Sequence, residues 1–482
     1  MPDNAARRTL RGLMPGMKTV LIRCRADDSP RETNVSGCYP PLGLACLAAV
    51  LRTAGHPVII IDAEVYGLTR GELVARLPPD VDLVGFTSTT LLWPSVRQTA
   101  AAVRRAMPRA TLIVGGPQVT AFPEDTLASS VFDAGVIGDG ESAIVEIAAR
   151  LSAHAPLTDV PGCVVRDGQG GVRVTGPARW VEDLDALPMP AIDLLPVARY
   201  RSILSRDPFV TMITSRGCPY RCAFCSQIYT GPSLRTRSPA NIIVEMERAV
   251  KEYGAREIIL FDETFGVKRN EAMQLCTLIR ERGLDVRWSA RTRIDVLDAE
   301  LMTAMRAAGC YFLHLGIESG SQRVLDLMKK KITLDEARRV VRMARDLGFF
   351  VHGYFMLGYP GETRRETAAT TRFSRQLGLD VASYTIAIPN PRTPLFDDAV
   401  RNGYIAADFW REYTFGRIPA EIPPLATREC PAGFLRRAAR MAYLRFFLRP
   451  AIVVRNIRFL KESGNWRQVW YAFRLWLREE LR

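Results

Sequence analysis

Length, composition and charge set the first limits on what this chain can be. It has 482 residues, of which 48% are hydrophobic, and a formal net charge of +14, and this length suggests about three domains with apolar cores. No apolar run approaches the roughly 18 residues needed to span a bilayer, and the first residues lack the apolar stretch of a signal peptide, so a cytoplasmic location is expected.

Residues 17–150 alternate short β-rich runs with amphipathic helical segments. The runs are KTVLIRC, VIIID, DLVGFTS, TLIVGG and AGVIG. Continuous apolar strands with helical crossovers indicate a parallel sheet covered on both faces, so we predict a five-stranded, doubly wound (Rossmann-like) α/β domain. Polar or glycine-rich turns follow strands at residues 87–90, 115–117 and 138–141. Such folds bind ligands at these positions, although simple turns remain the alternative.

The rest of the chain divides into three predicted regions. Residues 151–204 form a linker with a hairpin at CVVRDGQGGVRVTG. In residues 205–395, six β-rich runs alternate with helical segments, which indicates a partial (β/α)6 barrel of the TIM type with its chemistry at the carboxyl ends of the strands. Residues 396–482 are expected to be helical and basic, since from Phe434 onward there are twelve Lys and Arg but three Glu.

Three of the ten cysteines lie within eight positions, in the stretch SRGCPYRCAFCSQ that follows the first of these barrel strands. The other seven are widely spaced, which fits reduced thiols better than a disulfide framework. Three thiolates on one short loop can bind three irons of an iron–sulfur cube and leave the fourth iron free for another ligand. Zinc is the alternative metal, but a structural zinc site favours four ligands and no paired CxxC is present.

This loop resembles the signature of the radical SAM superfamily, CxxxCx(aromatic)C, with Phe224 as the aromatic residue. The resemblance covers residues 205 to about 395. It implies that Cys218, Cys222 and Cys225 ligate a [4Fe-4S] cluster and that Phe224 lies near the adenine of S-adenosylmethionine. It also implies reductive cleavage of S-adenosylmethionine to a 5'-deoxyadenosyl radical that abstracts substrate hydrogen, which needs an external electron donor such as flavodoxin or ferredoxin.

Further motifs resemble the superfamily at successive strand ends, namely FDETF, WSAR and GIESGS. The resemblance implies that they contact S-adenosylmethionine. Asp262 and Glu263 would receive its ammonium group, and Ser289 and Arg291 its ribose and carboxylate. Glu318 would bind the ribose or the amino group. For each residue, a structural ion pair or a solvated strand end remains the alternative.

The first domain resembles the cobalamin-binding domain that precedes the barrel in the cobalamin-dependent radical SAM class. The similar stretches are YPPLGLACLAAVLRTAGHPVIIIDAE, VGFTSTT, GGPQVTAFPED and GDGE. The resemblance implies cobalamin contacts from Thr87, Ser88, Gly115, Gly116, Gly138, Gly140 and Glu141. No histidine stands in the DxHxxG context that supplies a ligand to cobalt, so cobalamin is expected to bind without one. Gln118 is assigned no role.

By this resemblance we expect an enzyme that transfers a methyl group from methylcobalamin to an unactivated carbon of a lipophilic or natural-product substrate. An oxidative cyclase or rearrangement enzyme with the same cofactors is one alternative. Another is a transfer-RNA methylthiotransferase with a second cluster at Cys24, Cys38 and Cys46, although Cys24 and Cys46 stand where core cysteines are ordinary. A non-catalytic cobalamin or redox sensor is the third.

The last helical segment, GNWRQVWYAFRLWLREELR, bears on the choice of substrate. Its apolar residues recur at helical spacing on one face: Trp466, Val469, Trp470, Phe473, Trp476, Leu477 and Leu481. Basic helices with an aromatic face can rest on anionic membranes, so we predict a small-molecule or lipid substrate and peripheral contact with the inner membrane face. Packing of this face on the barrel is the alternative. No nucleic-acid partner is expected, because the positive charge lacks a recognised module.

Overall fold

The structure of the chain, a computed structural model, describes residues 16–26, 37–167, 170–229, 231, 233–420 and 422–463. It combines a doubly wound sheet, a second sheet of six parallel strands and a helical C-terminal region. The α/β fold class predicted from the periodicity is therefore confirmed.

Five parallel strands form the centre of the N-terminal sheet: β1 (Thr19–Arg23), β2 (Val58–Asp62), β3 (Leu83–Thr87), β4 (Thr111–Gly115) and β5 (Ala134–Val136). The strand order is β2-β1-β3-β4-β5. Because the connections after β1 and β3 leave in opposite directions, a crevice opens at the carboxyl ends of these strands. The helices of this domain are α1 (Leu42–Thr53), α2 (Ala63–Tyr66), α3 (Arg70–Ala75), α4 (Trp93–Ala106), α5 (Pro117–Ala121), α6 (Pro123–Ala128) and α7 (Glu141–Ser152).

The predicted hairpin is present, but it extends the N-terminal sheet. Strands β6 (Cys163–Arg166) and β7 (Val172–Val174) are antiparallel, and β6 pairs with β5. The first three side chains of β6 are buried, so the hairpin covers an edge that would otherwise expose backbone groups. The sheet therefore has seven strands instead of the predicted five, and part of residues 151–204 is sheet and not linker.

The second sheet has six parallel strands in sequential order: β8 (Phe209–Met212), β9 (Glu257–Leu260), β10 (Arg287–Arg293), β11 (Cys310–Glu318), β12 (Phe350–Leu357) and β13 (Val381–Ile386). Its outer helices are α8 (Pro239–Tyr253), α9 (Arg269–Glu281), α10 (Ala299–Ala307), α11 (Gln322–Leu327), α12 (Leu334–Asp346) and α13 (Arg364–Gln376). Strands β8 and β13 end the sheet and do not pair with each other. This is the partial barrel that the sequence predicted.

A buried polar cluster occupies the barrel at the amino-terminal ends of the strands. One carboxylate oxygen of Glu257 accepts hydrogen bonds from the Tyr311 hydroxyl at 2.9 Å and from the Arg206 backbone amide at 2.7 Å. Because Glu257 is fully buried, loss of hydration raises the pKa of its carboxyl group to about 8. Glu257 is therefore mainly protonated at neutral pH.

The C-terminal helices are α14 (Pro394–Arg401), α15 (Phe409–Phe415), α16 (Ala432–Phe447) and α17 (Pro450–Ser463). Helix α16 packs on β13, where the Tyr384 amide donates to the Tyr443 hydroxyl at 3.0 Å. Helix α17 packs on the barrel, since the Phe459 ring stacks on Phe350 at 4.4 Å. The aromatic face predicted around Trp466 lies outside the described residues. Within the described ranges, no helix is both long and apolar enough to cross a membrane.

Glu257 generates a testable dependence of stability on pH. The folded carboxyl has a pKa of about 8 and the unfolded one a pKa near 4.5, so the folded state binds more protons between these values. Unfolding free energy should then fall as pH rises from about 5 to about 8, by up to roughly 1.4 kcal/mol per pH unit.

Glu257→Gln, which keeps an oxygen for both donors, should flatten that slope in urea unfolding measured across this range. The exposed Glu281 provides the control, and Glu281→Gln should keep the slope of the unmodified chain. Equal slopes in both variants would contradict the assignment.

Candidate active site

The cysteine loop follows β8 and is held at both its entry and its centre. Ser215–Arg216 pairs antiparallel with Arg235–Thr236 before the loop begins. Gly217 has φ +92°, and a Cβ atom there would overlap the Ser233 carbonyl oxygen, so only glycine fits. At the centre of the loop, the Ala223 amide donates to the Met328 carbonyl at 2.9 Å, and the Ala223 carbonyl accepts from Leu395 at 2.9 Å.

In the described part of the chain the three cysteines of this loop form no disulfide, and Cys218 and Cys222 are half-buried while Cys225 is exposed. Although Cys225 is exposed, desolvation by the surrounding protein raises the pKa of its thiol to about 11, and the charges of Cys222 and Cys218 add to the shift. Metal binding at the loop must therefore release protons at neutral pH. Across the described residues, no group of three or more His, Cys, Asp or Glu converges on a single ion. In an iron–sulfur cube each thiolate binds a different iron, so this donor set fits a cluster.

Arg293, which the sequence analysis did not identify, lies against one of these thiols. Its guanidinium donates to the Cys222 sulfur at 3.4 Å and to the Lys330 carbonyl at 2.6 Å. It also binds both carboxylate oxygens of Asp295 and lies 3.7 Å from the Tyr220 ring centroid. A fixed cation that donates to a ligand sulfur favours the thiolate and the reduced cluster.

Lys330 lies between two of the predicted residues, because it forms a buried ion pair with Glu318 and also lies near the ring of Phe224. Glu318 ends β11 with φ +68°, and its carboxylate binds the Lys330 ammonium at 2.9 Å. The same ammonium lies 5.9 Å from the Phe224 ring centroid. Lys330 was also missed, because its run LMKKKI reads as solvated surface in the sequence.

Two predicted contacts with S-adenosylmethionine need correction, because their side chains have other partners. Asp262 is buried and accepts hydrogen bonds from the Thr214 and Ser215 amides at 2.7 and 3.0 Å and from the Thr214 hydroxyl. It therefore fixes the start of the cysteine loop and does not receive an ammonium group. Ser289 is also buried, beside the carboxyl group of Glu257, on the strand half that is remote from the loop.

Glu263 and Arg291 have different surroundings. Glu263 is exposed and lines a cavity between the domains, and desolvation by the nearby protein raises the pKa of its carboxyl group to about 7. Arg291 is half-buried, and its guanidinium lies 3.7 Å from the Phe261 ring centroid. Phe261 lines the same cavity.

The cavity between the two domains has a volume of about 390 Å³ and is lined mainly by apolar side chains. Its N-terminal wall includes the predicted residues Thr87, Gly115, Gly116, Gly138, Gly140 and Glu141. Its barrel wall includes Thr211, Ile213, Arg216, Tyr229, Phe261 and Glu263. Ser88 is a correction, because it is fully buried outside this lining and its hydroxyl donates to the Thr89 carbonyl at 2.9 Å.

The wall of this cavity fits a large planar cofactor that needs close backbone approach. A Cβ atom on Gly115 would meet no protein atom nearer than Val136 Cβ at 4.0 Å, so its absence leaves open room. Gly116 has φ +96° and a Cβ there would contact the Ser88 carbonyl oxygen at 2.9 Å. Histidine does not occur among the described lining residues.

Two arginines of the barrel domain, half-buried Arg216 and buried Arg235, bind the turn at 138–141. Arg216, two residues before the first cysteine of the loop, binds Asp139 at 3.1 Å and Glu141 at 2.5 Å. Arg235 binds the other oxygen of Asp139 at 2.5 Å. Glu141 was predicted to contact cobalamin, but its carboxylate is engaged by Arg216 and only 6% exposed. Ion pairs thus join the turn at 138–141 directly to the residues that flank the cysteine loop.

Gln118 lies in a second contact between the domains. Its side-chain amide is fully buried and donates to the hydroxyls of Thr126 and Thr414 at 3.2 and 3.1 Å. The Trp93 indole donates to the Thr414 carbonyl at 2.9 Å. Helix α15 therefore returns from the barrel to the N-terminal domain, and Gln118 binds this helix.

The ion pairs of Arg216 and Arg235 with the turn at 138–141 (the arginine tie) predict that two matched substitutions lower the unfolding free energy by different amounts. Arg216→Met leaves Glu141 buried without its cation, and breaking a buried pair in this way costs about 3–5 kcal/mol of unfolding free energy. Arg269 also binds two carboxylates, Asp298 and Glu300, but it is far more exposed. Arg269→Met should therefore cost much less in the same urea unfolding measurement. Equal losses of unfolding free energy in the two variants would show that the ion pairs of Arg216 do not stabilise the contact between the domains.

Comparison with known sequences finds relatives along most of the chain. It is 34% identical over 447 residues to the uncharacterized methyltransferase PH0819 of Pyrococcus horikoshii, covering 92% of this chain and 95% of the relative. It is 27% identical over 429 residues to the anaerobic magnesium-protoporphyrin IX monomethyl ester cyclase of Rubrivivax gelatinosus, covering 87% and 76%. It is 28% identical over 320 residues to the hopanoid C-3 methylase of Methylococcus capsulatus, covering 64% and 59%.

Solved structures show the same fold. The radical S-adenosylmethionine methyltransferase TsrM of Kitasatospora setae matches with a TM-score of 0.65 at 21% identity, covering 80% of this chain and 76% of TsrM. The cobalamin-dependent S-adenosylmethionine radical enzyme OxsB matches with a TM-score of 0.63 at 20% identity, covering 82% and 56%.

Two family models match the two domains in turn. Residues 32–148 match the B12 binding domain, and residues 212–374 match the radical SAM superfamily. The cofactors of the chain are accordingly a [4Fe-4S] cluster, S-adenosylmethionine and cobalamin, which agrees with the donor set of the loop and the open wall of the cavity. With a relative that is similar over nearly its whole length, the chain belongs to the radical SAM enzymes that carry a cobalamin-binding domain.

Proposed function

We propose that this enzyme transfers a methyl group to an unactivated carbon of a lipophilic or natural-product substrate. The observation that carries the proposal is the shared cavity, whose walls come from the cobalamin-type domain and from the barrel, next to the cysteine loop. When bound, the three cofactors supply reductive cleavage of S-adenosylmethionine and a transferable methyl group. A one-electron donor such as flavodoxin or ferredoxin is required as partner.

The side chains around the loop bind and orient the reactants in this proposal. Cys218, Cys222 and Cys225 hold the cluster, and Arg293 fixes one of these thiols in place. Phe224, Glu263 and Glu318 remain the proposed contacts for S-adenosylmethionine, with Lys330 orienting Glu318. The apolar lining of the cavity excludes water from the reacting groups.

Cobalamin is proposed to bind the N-terminal wall of the cavity. Gly115, Gly116, Gly138 and Gly140 admit its close approach, and the Thr87 hydroxyl is available in the same lining. Glu141 does not contact cobalamin in this proposal. It fixes the glycine turn, residues 138–141, through its ion pair with Arg216.

The first experiment measures cofactor content and methyl transfer in anaerobically purified enzyme from cells supplied with cobalamin. We expect about four irons and about one cobalamin per chain, and label from the S-methyl group of S-adenosylmethionine in the product. A variant with all three loop cysteines changed to Ala should lose the iron. None of the three cysteines is among the described residues that line the cavity, so this variant should keep cobalamin.

Candidate substrates can be supplied as a cell extract from a strain that lacks the gene. Label in a new extract component supports methyl transfer. Oxidised or cyclised product without label would instead favour the radical cyclase alternative, which one relative represents by name.

We also propose that the enzyme reaches a lipid-phase substrate by resting on an anionic membrane surface. Apolar side chains stand exposed on and between the last two described helices, with Leu448 72% and Val454 65% exposed. Exposed arginines accompany them at Arg436, Arg437 and Arg445. Interfacial binding uses exposed apolar side chains together with basic ones.

Vesicle sedimentation tests this surface. The enzyme should sediment with vesicles that contain phosphatidylglycerol and remain in the supernatant with neutral vesicles. Val454→Glu should weaken sedimentation, because a charge would enter the interface. Val244 is also exposed on a helix, but on the barrel, and Val244→Glu should have no effect. No sedimentation of the unmodified enzyme would refute the membrane contact.

A further inference from the structure

The interior of the barrel contains a cation, Arg291, that has no acidic partner among the described residues. Strand register aligns Arg291 with His314, and His314 with His352, so the three side chains occupy one inward-facing level. Arg291 lies against the Phe261 ring. Among the described residues, its guanidinium has no hydrogen-bond or ion-pair partner. Arg293, two positions further along the strand, has all its partners in place.

Within the described ranges, the neighbours of Arg291 do not supply the missing negative charge. The nearby carboxylate of Glu318 is already bound by Lys330 at 2.9 Å. His314 and His352 are buried, and both burial and the charge of Arg291 lower their pKa values, that of His352 to about 3. Both rings are therefore neutral at pH 7. A half-buried cation without a counter-charge is costly, and such groups are retained where a ligand supplies the charge.

A hydroxyl donor stands beside this cation. Tyr354 is half-buried at the level above, and its hydroxyl lies 3.0 Å from Nδ1 of His314. In the tautomer in which Nδ1 donates, the tyrosine hydroxyl is free to donate to a ligand. The Nδ1 atom of buried His352 has no partner within the described part of the chain. The level is therefore rich in donors.

The barrel remains accessible at this level from its open side. On β13 the inward positions next to Tyr354 are occupied by small polar residues, Ser383 and Thr385. Ser383 is half-buried and Thr385 is exposed. A ligand can therefore enter beside β13, whereas the outward side of the same strand is covered by Tyr443 of α16.

We propose that Arg291 and Tyr354 form a subsite for an anionic group of the substrate, a carboxylate or a phosphate, inside the barrel. This inference rests on the proposed function and narrows its substrate to an amphipathic molecule with a negatively charged end. The charged end binds at Arg291, and the apolar part extends towards the cavity lined by Phe261. It also reassigns Arg291, which the sequence resemblance gave to the carboxylate of S-adenosylmethionine.

Arginine modification of the reconstituted holoenzyme tests the subsite without a known substrate. Phenylglyoxal labelling is followed at Arg291 by peptide mass spectrometry, in the presence of sodium acetate, sodium phosphate or neutral acetamide. An anion that occupies the subsite should slow labelling about threefold when present at about twice its Kd. Acetamide should not protect. Arg282, an exposed arginine paired with Glu247, should be unprotected throughout.

The arms of this experiment separate the sources of the negative charge. Stronger protection by phosphate than by acetate assigns a phosphate group, and the reverse assigns a carboxylate. Tyr354→Phe should reduce the protection and leave iron and cobalamin content unchanged. Protection of Arg291 by S-adenosylmethionine alone would overturn the proposal and return Arg291 to that cofactor. Absence of protection by either anion would also overturn it.

The outcome is independent of the methyl-transfer assay. Anion protection in an enzyme that transfers no label would preserve the subsite and refute methyl transfer. Labelled product from an enzyme in which neither anion protects Arg291 would do the opposite.

Discussion

The carboxylates of half-buried Asp139 and buried Glu141 join the N-terminal domain to the barrel. Both lie in the glycine turn that borders the cavity, and both are bound by arginines that flank the cysteine loop in the barrel domain. Charges out of water require well-oriented partners, so the turn and the loop cannot shift independently. The position of the cysteine loop relative to the cavity is therefore fixed directly by these ion pairs.

Charged side chains near the cysteine loop are also paired. Arg293 and Lys330 are buried cations, and each is neutralised by one carboxylate, Asp295 and Glu318 respectively. These two cations and two carboxylates sum to zero net charge, but the guanidinium of Arg293 still donates to the Cys222 sulfur on the barrel side of the loop. Deprotonation of the three thiols then adds negative charge where two fixed cations can stabilise it.

The fold and the position of the cysteine loop were predictable because they follow from local patterns. Strand and helix periods predicted both sheets, and the spacing of Cys218, Cys222 and Cys225 singled out the loop that follows the first barrel strand. The partners of single carboxylates were not predictable in this way. Glu141 was assigned to cobalamin and Asp262 to S-adenosylmethionine, but Arg216 and Thr214, which bind them, are distant in sequence. Arg293 and Lys330 were missed for the same reason, since only the folded barrel brings them to the loop.

Helix α15 has a consequence for the route by which molecules enter. Its Thr414 binds both Trp93 and Gln118 of the N-terminal domain, while the arginine tie joins the domains on another side. A clamshell motion would have to break both contacts at once, with their hydrogen bonds and buried charges. Among the described residues, the gap beside β13, where Thr385 is exposed, opens the barrel without breaking either contact, so the proposed substrate can exchange while the two domains stay joined.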